Sequence, residues 1–224
     1  MNTVRKLYLA LPALACALSS PALADDEQAW GTATINVRVA KDVRVQSETT
    51  ARTGNARGFY ELESSLLVGF KVAPKVTYSA GYVHNPTYSH GDFVAMERRL
   101  RQQVTVDNIA KIGPFSMNGR MRLETRWRDN VGGTGWRLRP QVKLSTPIAG
   151  KTALNISHES FINLNSNGFQ RQSGYERMRN AISISTPLAK NLTIEGGYLE
   201  QHGFVRRGPD TDDHVATLAL TASF

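Results

Sequence analysis

GRMRLETRWRDN, residues 119–130, alternates charge and apolarity with a period of two. Arg120, Arg122, Glu124, Arg126 and Arg128 share one parity, while Met121, Leu123, Thr125 and Trp127 share the other. Successive side chains of a strand point to opposite faces, so the stretch predicts a strand with one ionic face and one apolar face. The pattern recurs. Trp136, Leu138, Pro140, Val142 and Leu144 oppose Arg137, Arg139, Gln141 and Lys143. Leu192, Ile194, Gly196 and Tyr198 oppose Thr193, Glu195 and Gly197. From Trp30 onwards this alternation dominates and no 3.6-residue pattern persists, which predicts an all-β chain.

The connections come in two classes. Short links follow one recipe, VRVAKDV (37–43), FKVAPKV (70–76), TPIAGKT (146–152) and TPLAKNL (186–192), with AKIGPFS (110–116) a looser copy. Between them lie polar segments read as longer loops: ARTGNARG, HNPTYSHGD, RDNVGGTG, NLNSNGFQRQSG and QHGFVRRGPDTDD. Tight turns at one end and long loops at the other describe a barrel of the bacterial outer membrane, short turns facing the periplasm. In lipid every backbone polar group must be bonded internally, which a closed barrel achieves. The apolar parity then meets lipid and the arginines point into the lumen.

The N-terminus agrees with export. Residues 1–24 carry Arg5 and Lys6, an apolar run over 7–18 and a terminal Ala22-Leu23-Ala24. That is the layout of a cleaved signal peptide, and the run is shorter than the roughly 20 residues of a spanning helix. The predicted organisation is therefore 1–24 signal peptide and 25–224 barrel. Cleavage removes Cys16, the only cysteine, so no disulfide is expected. It also lowers the formal charge from +8 to +6 by removing two bases and no acid. A basic exported chain without a nucleic-acid motif excludes nucleic acid as a partner and places the protein in the outer membrane of a Gram-negative bacterium.

Eleven strand candidates can be counted, near 30–39, 42–52, 59–70, 75–84, 93–107, 114–128, 135–146, 151–163, 174–186, 191–201 and 214–224. Single-chain bacterial barrels have even strand numbers. The expected fold is therefore a transmembrane antiparallel up-and-down barrel of ten or twelve strands. With ten, the segment starting WGTATINV lies partly inside the lumen. The final strand, HVATLALTASF, ends on Phe224 with Ala216, Leu218, Leu220 and Ala222 on its face. It resembles the signal that the barrel assembly machinery reads during biogenesis.

Lumen-lining positions on the fifth to seventh strands are Glu97, Arg99, Arg101, Asp107, Arg120, Arg122, Glu124, Arg126, Arg128, Arg137, Arg139 and Lys143, nine bases against three acids. Glu159, Arg177 and Arg179 are among the inward positions elsewhere. Such a lumen is filled by paired Arg and Glu side chains, or it leaves a narrow pore favouring anions. Outward Tyr60, Tyr78, Tyr82, Trp127, Trp136 and Tyr198 suit interfacial aromatic girdles.

The run GRMRLETRW followed by GWRLRPQVKLSTPI, with MERRLRQQV before and HESFINLN after, looks like an uncharacterised family of Gram-negative outer-membrane β-barrels catalogued as a domain of unknown function. The likeness covers essentially all of 25–224. It implies the barrel and its location and brings no activity.

One constellation carries chemistry. In LNISHESFIN, His158 and Ser160 share the outward parity, and Glu176, Met178 and Asn180 do so on the next strand. Folding the intervening loop about residue 169 sets Asn180 opposite His158. Nucleophile, base and orienter on neighbouring strands suit acyl-ester hydrolysis: Ser160 attacks, His158 takes its proton, and Asn180 or Glu176 holds the imidazole. The His-x-Ser spacing on a lipid-facing strand is similar to that of outer-membrane phospholipase A and the lipid A deacylases. The phospholipase has Asn-Gly after the serine, where this chain has Phe161-Ile162.

The reading the sequence favours is a structural barrel or narrow anion-favouring pore. The alternatives are a lipid acyl hydrolase and a module that binds through its loops. The scattered His84, His90, His202 and His214 predict no metal site, and no cofactor is expected. Outer-membrane lipids are the expected partners. Arg57, Arg171, Arg206 and Arg207 are suited to lipopolysaccharide phosphates.

Overall fold

The computed structural model describes residues 26–224, and the predicted signal peptide lies outside them. The strands are β1 (Asp26–Ala40), β2 (Val43–Gly54), β3 (Gly58–Ala73), β4 (Val76–Ser89), β5 (Asp92–Ile112) and β6 (Phe115–Arg128). They continue with β7 (Val131–Ala149), β8 (Thr152–Asn163), β9 (Gly174–Ala189), β10 (Leu192–Gly203) and β11 (Thr211–Ser223). Each pairs with its sequence neighbours, and β1 pairs with β11 to close a barrel of eleven strands.

Eleven corrects the expected ten or twelve, and the barrel is not wholly antiparallel. With an odd number the first and last strands run the same way. They meet in a parallel seam from Asp26↔Asp213 to Asn36↔Ser223. A parallel ladder also bonds both strand edges, so closure demands no even count. The WGTATINV segment is a wall strand paired on both sides rather than a lumen insert.

Residues 41–42, 74–75, 113–114, 150–151 and 190–191 make two-residue turns at one end, as the short links predict. The opposite end departs from expectation. ARTGNARG, HNPTYSHGD and RDNVGGTG are mostly strand, leaving only residues 55–57, 90–91 and 129–130 as turns. His90 and Gly91 both have positive φ (51° and 93°), the geometry of a twist-matched two-residue hairpin turn. The long connections that remain are 164–173 and 204–210.

The barrel is inverted relative to a soluble protein. Met121 is 48 % exposed and Leu218 53 %, whereas Arg101 is 1 % and Glu124 0 % exposed. Arg99, Arg101, Arg122, Glu124, Arg126, Arg137 and Arg139 are buried, with Arg and Glu filling mid-barrel. Glu124 accepts from Arg101 (3.1 Å), Arg137 (2.7 Å) and Arg139 (3.0 Å). Glu63 bridges Arg99 and Arg101, both at 2.7 Å, and Glu97 binds Arg99 and Arg126. Arg120 and Arg139 meet Glu159 at 2.6 and 3.0 Å. Nearer the turn end, Lys143 approaches Glu195 at 3.3 Å.

Four register shifts lie near the loop end, and two of them re-aim residues at the sites below. Between β2 and β3 the register steps from Arg52↔Glu61 to Thr53↔Phe59, which makes Tyr60 the extra residue. Tyr60, expected outside, therefore turns inward. It is 6 % exposed, its hydroxyl donates to Gln28 at 2.6 Å, and it accepts from the Trp30 indole N–H at 3.0 Å. The second bulge lies between β8 and β9 and shapes the site below.

Candidate functional site

The outer wall carries a polar row crossing β8, β9 and β10. His158 pairs with Asn180 in register, as the fold about residue 169 predicts, and Asn180 pairs with Glu200. The side chains continue the connection. His158 Nδ1 lies 2.8 Å from Asn180 Oδ1, and His158 Nε2 lies 3.0 Å from Ser160 Oγ. Asn180 Nδ2 donates to Glu200 Oε2 at 3.2 Å.

For a neutral imidazole beside a carboxylate, these contacts have one consistent set of proton directions. An ionised carboxylate only accepts, so Glu200 takes the amide NH2 side of Asn180 and leaves Oδ1 towards His158. His158 Nδ1 must then be the donor, which makes Nε2 a bare lone pair facing the Ser160 hydroxyl. That is the tautomer a general base needs. Ser160 is 9 % exposed, and its Oγ lies 2.5 Å from the Tyr175 hydroxyl. Because Ser160 gives its one hydrogen to Nε2, Tyr175 donates to Oγ.

Tyr175 reaches Ser160 through the second bulge. The β8–β9 register steps from Phe161↔Arg177 to Ile162↔Tyr175, leaving Glu176 as the extra residue. A bulge puts two residues of one strand opposite one of its partner and re-aims the side chains beyond it. Tyr175 turns outward, where its ring meets Phe204 edge-on at 5.0 Å. Glu176 turns inward and approaches Arg137 at 3.6 Å. This overturns Glu176 as an imidazole orienter, because it is on the other side of the wall.

Of the four predicted catalytic residues, Ser160, His158 and Asn180 are brought together and Glu176 is not. Sequence reading missed Tyr175 and Glu200. Glu200 had a legible signal, a charge on the same parity as outward Tyr198. Tyr175 had none, because the bulge reversed its parity.

Pro140 marks the other flank. β7 pairs with β8 at Leu138↔Ile162 and Gln141↔Glu159, with the same register on both sides of a gap. That register sets Pro140 opposite Ser160, and proline has no N–H to give the ladder there. Towards the turn end, Leu144, Ile156, Ile182 and Tyr198 form the next row across β7 to β10. With Val142 they line an apolar groove of about 370 Å3 that opens beside His158 and Asn180.

A closed barrel with an ionic interior, an apolar exterior and a Ser–His–Asn chain on its outer wall is the class that fold and site define. The chain belongs to the family described as Protein of unknown function (DUF2490), which matches residues 27–212. It is similar to an uncharacterized protein of Methylorubrum extorquens, 30 % identical over 205 residues that make up 87 % of this chain and 86 % of the relative. No solved structure matches.

Proposed function

We propose that the protein is an acyl-ester hydrolase of the Gram-negative outer membrane, acting on lipid at the outward face of its barrel. The observation that carries this reading is the continuous chain Ser160–His158–Asn180, with contacts of 3.0 and 2.8 Å on the apolar wall. The sequence alone favours a structural or anion-favouring barrel. The assembled site moves the preference to chemistry on the outside, while the filled lumen serves as a rigid scaffold.

The reaction follows from the proton directions. Ser160 Oγ attacks the ester carbonyl as its proton passes to His158 Nε2, forming the Oγ–C bond and an oxyanion. Collapse breaks the bond to the alcohol, which leaves with the proton from His158. Water then enters by the same steps, with His158 as base, and releases the fatty acid and free Ser160. Asn180 keeps the imidazole in the required tautomer and steadies its transient charge.

Position and shape suit a lipid ester. Ser160 stands eight residues beyond Thr152, the first residue of β8 at the turn end. At about 3.3 Å per residue and a tilt near 40°, that is roughly 20 Å along the barrel axis, close to the loop-side edge of an apolar band about 25 Å tall. An ester held there belongs to the loop-side leaflet, its acyl chain lying in the Val142–Ile156–Ile182 groove. Lipids and lipopolysaccharide are the partners this predicts. Export through residues 1–24 and assembly read from Phe224 complete the proposal.

The test uses the folded barrel in phospholipid–detergent micelles, with fatty-acid release as the readout. Ser160→Ala and His158→Ala are expected to lower the rate by at least about 10³-fold with the fold intact. Equal rates in wild type and Ser160→Ala would refute it.

A further inference from the structure

The interior opens, towards the loop end, into a cavity of about 610 Å3 that the hydrolytic site does not touch. Nine arginines line it against four glutamates and one aspartate. Most of these cations are matched closely, as Arg99 and Arg126 are by Glu97. Two are not. Arg177 Nη1 and Arg179 Nε both donate to one neutral acceptor, Gln201 Oε1, at 3.2 and 2.9 Å. Their nearest carboxylates stand at 3.7 Å (Glu176) and 4.0 Å (Glu159).

Gln201 is itself 7 % exposed and donates its amide to Asp213 Oδ2 at 2.5 Å. Its oxygen thus holds the guanidiniums in place without neutralising them. A third cation adjoins them: Arg52 and Arg179 each lie 4.5 Å from the Trp30 ring centroid. Arg52 pairs with Glu61, but its Nε is buried without an acceptor. Guanidiniums clustered in a recessed site focus positive potential, and their planar forks match oxyanions.

We propose that this cavity is a binding site for a small oxyanion, a phosphate or carboxylate group entering from the loop end, held by Arg177 and Arg179 beside Trp30. It is a receptor site, because mid-barrel is filled around Glu124 below it. A free anion and the anionic headgroup of a lipid share this chemistry, and the experiment separates them. The inference stands on the interior alone and is independent of the hydrolase.

Trp30 reports the site directly. In a Trp127→Phe, Trp136→Phe background it is the only tryptophan. Its emission is titrated with inorganic phosphate and with citrate at constant ionic strength set by chloride. A saturable change is expected, weakened at least tenfold in Arg179→Gln. If the free anions leave Trp30 unchanged while short-chain phosphatidic acid saturates it, the ligand is a lipid headgroup and the site stands. Gln201→Glu guards against mere misfolding. It supplies the missing carboxylate between two arginines, and Asp213→Asn in the same variant returns a donor to the lost amide contact, so the barrel should fold, as shown by heat-modifiable migration, and no longer respond to anions. A folded Gln201→Glu variant that binds like wild type, or a wild type showing no saturable response to any of the three probes, would overturn the assignment.

Discussion

Tyr175→Phe is the substitution that most sharply tests the geometry of the outer-wall site. The Tyr175 hydroxyl lies 2.5 Å from Ser160 Oγ and, by the proton directions set from Glu200, it is the donor. Two effects then oppose each other. Before the proposed attack, the donated hydrogen bond would draw electron density from Ser160 Oγ and slow it. Once Oγ has bonded to the carbonyl carbon, the freed O–H adjoins the new oxyanion and stabilises it. Besides His158, Tyr175 is the side chain in hydrogen-bond contact with Ser160 Oγ, which makes it the candidate donor to the oxyanion.

Magnitude decides the sign. A hydrogen bond to the neutral hydroxyl is worth about 0.5–1.5 kcal/mol net, so losing it would raise the rate by about tenfold at most. Losing a preorganised donor to a developing oxyanion costs about 2.7–4 kcal/mol, or roughly 10²–10³ in kcat. The second effect dominates. Tyr175→Phe should therefore lower kcat by about 10²-fold with little change in KM, since phenylalanine keeps the ring against Phe204. The assay is initial-rate hydrolysis of a short-chain ester in micelles, beside Ser160→Ala. A Tyr175→Phe variant as fast as wild type, with Ser160→Ala inactive, would refute the oxyanion role and leave the nucleophile standing.

Glu176→Gln should leave hydrolysis unchanged, because the bulge places this side chain inside the wall; a large loss in the same assay would contradict the register. Glu200→Ala should lower kcat about three- to tenfold by freeing the Asn180 amide to rotate, with Glu200→Gln retaining more activity because its Oε1 still accepts. Glu124→Leu should destabilise the barrel by about 3–5 kcal/mol, measured from the urea midpoint, since it removes the one close carboxylate of buried Arg137 and leaves Arg101 and Arg139 with Glu63 and Glu159 alone. Gly81→Ala should prevent the heat-modifiable form from appearing, because the added Cβ would run into the Leu66 carbonyl oxygen and lie 2.8 Å from Leu67 Cα.

What the sequence reveals and what it hides follow from one rule, the period of two. Parity alone places Arg120 to Arg128 inside and Met121 to Trp127 outside, because each residue's face depends only on its own strand. Strand number is harder to read. All eleven strands are countable, yet the choice between closing them and discarding one depends on β1 meeting β11, a contact between opposite ends of the chain. The tight turns at 90–91 and 129–130 are obscured because polar residues such as Ser89, Asp92 and Arg128 extend the strands beyond the apolar band.

Parity fails at an inserted residue, and both failures lie near the loop end. Tyr60 and Glu176 are each the extra residue of a bulge, and each turns inward against its expected face. The two errors have different consequences. Tyr60 joins Trp30 and Gln28 at the wall of the interior cavity, while displacement of Glu176 brings Tyr175 to Ser160. A regular β9 would put the glutamate outside and the tyrosine inside. The site would then lack its hydroxyl donor, and a carboxylate would face the apolar wall. Deleting Glu176 removes the extra residue, leaves Phe161↔Arg177 and Ile162↔Tyr175 as consecutive pairs, and should keep Tyr175 outward beside Ser160. Such a variant is expected to fold and to keep hydrolysis, whereas a loss to the extent of Tyr175→Phe would show that the bulge itself, and not only the outward face of Tyr175, positions the hydroxyl.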